Sequence, residues 1–308
     1  MFKPKVTPAP TNSNVIEFDK LWFTYSPQTS YSHTALKDVS LKLNRLEIIG
    51  VTGATGCGKS TLVQHVNGLL KPTRGQIRTH GMTITAKTRK IRRVKELRRK
   101  VSLVFQYAEN QLFEDTVLKD LVFGPTQFGQ DRKTAEKLAR YYIKLVGLDQ
   151  SYLLRSPFNL SGGEKRRVAI AGVLAIQATT LVLDEPTAGL DPQGTQKFLA
   201  IFKKLGHQTK RRRLIIVGHN LDHLLSICDR LVVLNAGRVV ADGVPAQILS
   251  DRPLLEKLGL TPPLLYDFAA KLTAQGLDLS QFQIRTIADL VAAIKRRVKT
   301  KATVALPS

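Results

Sequence analysis

Two runs of residues in this sequence can do chemistry together. One is Gly53-Ala54-Thr55-Gly56-Cys57-Gly58-Lys59-Ser60, with Thr61 directly behind it; the other is Asp184-Glu185, closing the apolar run Leu181-Val182-Leu183. Gly53 and Gly58 let the backbone curl so that successive N–H groups point at phosphate oxygens. Lys59 is placed to reach the outer phosphates and the Ser60 hydroxyl to hold Mg2+. The spacing G-x-x-x-x-G-K-[ST] has that meaning only between a strand and a helix. Here Leu46-Glu47-Ile48-Ile49-Gly50-Val51 precedes it, and a helical pattern from Thr61 to Leu70 (Leu62, Val63, Val66, Leu69 apolar) follows. A helix start adds unpaired donors and the positive end of a dipole.

The Asp184-Glu185 pair sits about 125 residues downstream, at the end of a strand whose apolar residues bury it. Ligands of open α/β sheets bind at that strand edge. Asp184 suits the outer coordination of Mg2+, and Glu185 can polarise a water for in-line attack on a γ-phosphate. A third run, Leu160-Ser161-Gly162-Gly163-Glu164, offers Ser161 as an N-cap and two glycines that let N–H groups approach an anion. Glu164 falls at the third position of a capping box, a purely structural role open to it. One ATP needs one cradle, so this second anion-type site is expected to serve a nucleotide bound to a different subunit.

The elements that must position these runs read as α/β. Val15–Tyr25 is rich in β-branched and aromatic types, and Ala35–Leu43 alternates at its end, two strands around the polar loop 26–34. Gly75–Arg78 with Met82–Ile84 reads as a hairpin, and Val101–Gln106 as a strand entering a loop. Asp131–Val146 is an amphipathic helix. Thr180–Leu183 and Leu214–Val217 are apolar enough to be buried parallel strands with a helix between them. Leu231–Leu234 and Arg238–Val240 flank Asn235-Ala236-Gly237, a hairpin signal. From Pro245 the pattern turns helical, interrupted at Pro262-Pro263 and Gly276.

Composition narrows the class. A chain of 308 residues with two cysteines, Cys57 and Cys228, is no disulfide scaffold. The first 14 residues, Pro/Thr/Ser/Asn-rich, lack the apolar core of a signal peptide and read as a flexible lead-in. No stretch approaches a membrane span, so work at a membrane requires spans from another chain. The net charge of +23 is clustered at 87–100, 210–213 and 295–301. Such runs serve anionic lipid or nucleic acid, or are simply solvated faces; aromatics are not interleaved, which counts against single-strand stacking.

Together, the phosphate loop, LSGGE at 160–164 and LVLDEPTAGLD at 181–191 resemble the nucleotide-binding subunits of ATP-binding-cassette (ABC) proteins over about residues 15–245. The resemblance implies a P-loop NTPase: a RecA-like parallel core, an N-terminal antiparallel β subdomain and an α-helical signature subdomain at about 107–175, followed by a helical extension with a basic tail at 246–308. It further implies that ATP is bound by Tyr25 (stacking on adenine, with Tyr31 a weaker rival), Gly53, Ala54, Thr55, Gly56, Cys57, Gly58, Lys59, Ser60 and Thr61. Glu185, His219 and Gln106 are the implied catalytic residues, Ser60, Gln106 and Asp184 the Mg2+ site, and Asp191 the loop aspartate that reaches across a dimer. Ser161, Gly162, Gly163 and Glu164 would face the partner's ATP.

Finer strings, FQYAENQLFEDTV at 105–117, FGP at 123–125 and SPFNL at 156–160, resemble the energy-coupling-factor (cobalt/vitamin-uptake) importer ATPases, and the second paralogue of the usual heterodimer in particular. That likeness implies a paralogous ATPase (or a second copy of this chain), a transmembrane scaffold and a membrane-embedded substrate-binding subunit as partners, at the cytoplasmic face of the cell membrane, with no nucleic acid. Gln111, Leu112, Phe113 and Glu114 would form the coupling surface, where the alternative is a solvent-facing turn, and the extension at 250–294 would pair two ATPases. Two positions depart from the pattern: Cys57 where serine is usual and Thr52 where histidine is frequent. A thiol at a helix start beside a lysine is expected to favour its thiolate, so alkylating Cys57 should block ATP and ATP should protect it. The competing class is a soluble ABC ATPase acting on nucleic acid or ribosomes; a single set of motifs and no coiled-coil insertion count against it. A catalytically silent cassette is countered by intact Lys59, Glu185 and His219.

Overall fold

The computed structural model describes residues 15–43, 46–207, 212–279, 281–282 and 284–304, with no side chains described for 299–304. The lead-in at 1–14, Lys210 and Arg211, and the side chains ending the basic tail lie outside the described residues.

Alternation decides the first sheet. β1 (Ile16–Tyr25) buries Ile16, Phe18, Leu21 and Phe23, the period slipping by one where Lys20 adopts φ 46°. It pairs with β2 (His33–Leu43). In β3 (Ile48–Thr52) all five residues are buried, the mark of a strand covered on both faces. α1 (Lys59–Val66) follows, and β4 (Arg74–Thr79) and β5 (Met82–Thr85) complete an antiparallel sheet in the order β2-β1-β4-β5. α2 (Val94–Lys100) leads into β6 (Val101–Val104).

Three helices come next: α3 (Val117–Gln127), α4 (Arg132–Leu145) and α5 (Gly162–Ala175). Then β7 (Thr180–Asp184), α6 (Pro192–His207), β8 (Arg213–Val217) and α7 (Leu221–Ile227) alternate, before the hairpin β9 (Arg230–Asn235) and β10 (Arg238–Gly243). Four helices end the chain: α8 (Pro245–Ser250), α9 (Arg252–Lys257), α10 (Leu264–Ala274) and α11 (Ile287–Val304). The second sheet runs β10-β9-β3-β8-β7-β6, parallel except for β10.

The period of two sorts this sheet's residues between two cores. Ile49, Val51, Val182, Ile215, Val217 and Val232 face α1 and the antiparallel sheet. Their neighbours Ile48, Leu181, Leu183, Leu214, Ile216 and Leu231 face the opposite core, shared with α3 to α7. The C-terminal helices have a small cluster of their own, Leu279, Ile284, Leu290 and Ala293, and Leu265 and Tyr266 of α10 touch both it and the larger core.

Three local expectations change. The helix after the phosphate loop stops at Val66, not Leu70: Gly68 turns to φ 67° and Asn67 Oδ1 accepts the Leu69 N–H at 3.0 Å, leaving Leu69 outside and exposed. α2 lies inside the basic run, where Leu97 is its one buried residue, so no apolar period announces it. Most charges of that run are exposed, yet Arg212 and Arg213 of the next are buried, Arg212 donating to the Tyr142 hydroxyl at 3.2 Å.

Candidate functional site

The phosphate loop is fixed from within and from one side. Gly53, Gly56 and Gly58 take φ 143°, 78° and 104°, backbone that side chains resist. The Cys57 N–H donates to the Ala54 carbonyl at 3.2 Å, closing the turn. Lys59 Nζ donates to the carbonyls of Gly53 (2.8 Å) and Ala54 (3.0 Å), so its ammonium lies in the mouth of the loop. Ala54, Thr55 and Gly56 form the exposed rim. The β9–β10 turn, with Ala236 and Gly237 both at positive φ, braces the loop from the side: the Gly237 N–H donates to the Cys57 carbonyl at 3.1 Å.

Tyr25 ends β1 beside the same helix start. Its hydroxyl lies 3.0 Å from Thr61 Oγ1 and its ring stands edge-on to Phe23, leaving it 40% exposed. Tyr31 is in open solvent at 86%. Tyr25 therefore shares the loop's neighbourhood through a direct contact.

The expected thiolate at Cys57 is corrected by the structure. The side chain is only 5% exposed and packs in the core between the sheets. Burial pushes the thiol pKa up, and the nearby Lys59 charge offsets this only in part. A protonated, covered thiol is a poor nucleophile, so Cys57 is a packing residue and not a reactive handle.

At the end of β7, Asp184 is buried beside the loop. Burial raises its pKa, the Glu185 charge adding to this, while a hydrogen bond from Ser60 and the charge of Lys59 oppose it. A covered carboxylate next to a hydroxyl is a pair of hard oxygen donors whose burial a divalent cation would relieve, which fits Mg2+ held jointly with phosphate oxygens. Glu185 follows with φ 50°, its N–H donating to the Val217 carbonyl of β8 at 3.0 Å. Its side chain meets His219, whose Nδ1 lies 3.0 Å from both carboxylate oxygens. Glu185 is sheltered at 14% exposure and His219 open at 75%.

A residue the motifs did not single out ties these parts together. Arg166, buried on α5, donates to the carbonyls of Gln106 (2.8 Å), Glu185 (2.5 Å) and Pro186 (3.2 Å), and faces Glu109 at 3.6 Å. Gln106 itself is exposed, with its carbonyl held. The available signal was weak: Arg166 is the member of Lys165-Arg166-Arg167 that falls on the buried face of α5.

The Ser161 helix start opens the same helix that carries Arg166, and it is fully capped. Ser161 Oγ accepts the Glu164 N–H at 3.4 Å and Glu164 Oε2 accepts the Ser161 N–H at 2.8 Å, a full capping box. Tyr152 donates to the other Glu164 oxygen at 2.7 Å, and these bonds lower the Glu164 pKa. The structural role open to Glu164 is thus filled. Gly163 neighbours Leu190, next to Asp191, whose Oδ1 accepts the Gly194 N–H at 2.5 Å and caps α6.

The segment 111–116 is ordered by α3. Asp120 accepts the N–H groups of Phe113 and Glu114, each at 3.3 Å, and Thr116 caps the helix. Phe113 packs edge-on to Phe123 at 4.9 Å, yet both rings remain exposed, as do Phe105 and Tyr107. Phe113 and Phe123 thus form one exposed aromatic pair beside the ordered 111–116 segment.

The phosphate loop, the Asp184-Glu185 strand end and the capped Ser161 start on one α/β chain define an ATPase of the ABC class. The ABC transporter family profile matches residues 36–188. The energy-coupling factor transporter ATP-binding protein EcfA2 of Spiroplasma kunkelii is 46% identical over 279 residues, 91% of each chain. The cbiO1 protein of Clostridium perfringens, part of the ABC transporter complex cbiONQ, superposes with a TM-score of 0.67 at 32% identity, covering 82% of this chain and 97% of that one. A dimeric ATP-binding cassette, MJ0796, solved after hydrolysis with ADP and Pi, also has a TM-score of 0.67, at 26% identity over 75% of this chain and 98% of its own. The chain belongs to the family of energy-coupling factor transporter ATP-binding proteins.

Proposed function

We propose that this ATPase is half of a sandwich dimer that powers uptake of a vitamin or metal-type micronutrient through a membrane scaffold and a small membrane-embedded substrate-binding subunit. The observation that carries the reading is that one chain holds two anion-type elements: the loop group gathers around Lys59, Asp184 and Glu185, while the Ser161 start, with its own cap, presents open glycines. A paralogue's nucleotide would fill that second element, and the relatives' names support such a partner.

Tyr25 stacks on the adenine, the loop N–H groups and Lys59 hold the phosphates, and Ser60, Asp184 and Gln106 would hold Mg2+. The ion neutralises phosphate charge when bound. Glu185 takes the proton of the attacking water, and His219, hydrogen-bonded to Glu185, reaches from it to the γ-phosphate. Asp191 contacts the partner. Gln111, Leu112, Phe113 and Glu114 receive helices of the scaffold, with Gln106 and its Arg166-held carbonyl relaying between that surface and Glu185. No helix among the described residues is long and apolar enough to cross a membrane, and the spans would come from those partners, with this chain peripheral at the cytoplasmic face.

Purification of this chain from its own cells in mild detergent tests the reading. Co-isolation of a second ATPase, a multispanning scaffold and a small membrane protein is the expected result. Ribosomes or DNA in their place would overturn it.

A further inference from the structure

The helix leading away from His219 closes poorly by itself. α7 has a local N-cap, the Asn220 side chain accepting the His223 N–H at 3.0 Å, but no basic residue in its last turn. At seven residues it has more open backbone groups at its ends than bonds within, and it is too short to hold itself.

Its closure comes from the C-terminal helices. Arg285, 60 residues after Leu225, donates from Nε to the Leu225 carbonyl at 3.2 Å and from its terminal nitrogen to the carbonyl of Cys228, the α7 C-cap. A guanidinium at the negative end of a helix both satisfies carbonyls and complements the dipole. At the other end the Leu264 N–H, opening α10, donates to Asp222 Oδ2 at 3.2 Å. Arg285 is itself held in place. The Asp289 carboxylate accepts the N–H groups of Arg285 (3.1 Å) and Thr286 (2.9 Å), and Thr286 Oγ1 accepts the Asp289 N–H at 3.2 Å. Between the two tethers lies a cleft of about 840 Å3, lined in part by Asn220, His223 and Phe268. The extension therefore grips α7 at both ends, in addition to the packing of Leu221, Leu224 and Leu225 in the larger core.

We propose that Arg285 is a positioning residue for hydrolysis, acting through α7. It fixes α7, and with it the height at which His219 meets Glu185 and the terminal phosphate. The inference rests on the role proposed above for His219.

The test uses the full chain in its assembled membrane complex, with Arg285→Ala, Arg285→Lys and His219→Ala. Steady-state hydrolysis is normalised to sites counted by binding of a fluorescent ATP analogue, so unfolded protein does not enter the rate. Arg285→Ala is expected to lower kcat about tenfold with KM within about twofold, a displacement near the chemistry costing rate more than affinity. Arg285→Lys, which can still donate to both carbonyls, should restore more than half the rate. An unchanged kcat per site in Arg285→Ala overturns the inference, as does a rise in KM that accounts for the whole loss. If His219→Ala keeps full activity, the parent reading of His219 fails, whatever Arg285 does.

Discussion

A methyl group on Gly53 would meet the Leu234 carbonyl oxygen at 2.1 Å, and one on Gly58 the Ala35 carbonyl oxygen at 2.5 Å. The same methyl on Gly162 would meet nothing within 4 Å, and on Gly163 only a Leu190 methyl at 4.0 Å. Both elements are glycine-containing helix starts with anion-binding geometry, yet only the first has a reason for its glycines inside the fold. Neither Gly162 nor Gly163 has a positive φ among the described residues, so backbone freedom does not call for them either. On the function proposed above, that open space is where a partner's nucleotide would sit. That contrast separates glycines the fold requires from glycines it does not.

Substitutions can break or sharpen the comparison. The largest effect is expected at Gly53→Ala, where φ 143° and the Leu234 contact together should cost about 3 kcal/mol or more. Thermal unfolding should show a Tm lower by roughly 8 °C, or no folded protein; a wild-type Tm would show that the brace from β9 is not tight. Next, Glu185→Gln should keep ATP binding while hydrolysis in the complex falls about 10²- to 10⁴-fold, the range for losing a general base. Near-normal turnover would remove Glu185 from that role.

Gly162→Asp sharpens the contrast most directly. A carboxylate in the first helical turn favours the helix, so Tm should hold or rise slightly. The same charge opposes a partner's phosphates, and hydrolysis should drop about tenfold or more, comparable to losing one oriented donor to a charged phosphate. Retained activity with the charge in place would mean that no phosphate comes near. The smallest effect is expected for Arg166→Met, which leaves three held carbonyls without their donor at about 1–3 kcal/mol of stability. Its kcat should fall about fivefold through loss of Glu185 placement, which single-turnover kinetics would read.

The same division explains what could be read from the sequence. Gly53–Ser60, Asp184-Glu185 and Ser161–Glu164 are local runs whose chemistry follows from residue types a few positions apart, and the apolar strands around them follow from the period of two. The structure brings Tyr25 to Thr61 and His219 to Glu185, contacts the sequence reading did not name although it placed both residues at the nucleotide. Arg166 on Gln106 and Glu185, the Gly237 turn on Cys57, and Arg285 on α7 join residues far apart, and no spacing rule encodes them. Cys57 misled for a related reason: its neighbours along the chain suggested an activated thiol, and its neighbours in space bury it. α2 stayed hidden because its charges carry no apolar rhythm.

Glu185 sits at φ 50°, a conformation that asparagine or glycine would adopt with less strain. The chain therefore carries about 1 kcal/mol or more of local cost at the residue proposed to activate water. Selection for heat tolerance alone would favour replacing glutamate at this position and, on the role proposed for Glu185, would cost turnover while making the protein sturdier. Laboratory evolution of this chain for thermostability therefore needs an activity screen to keep the glutamate.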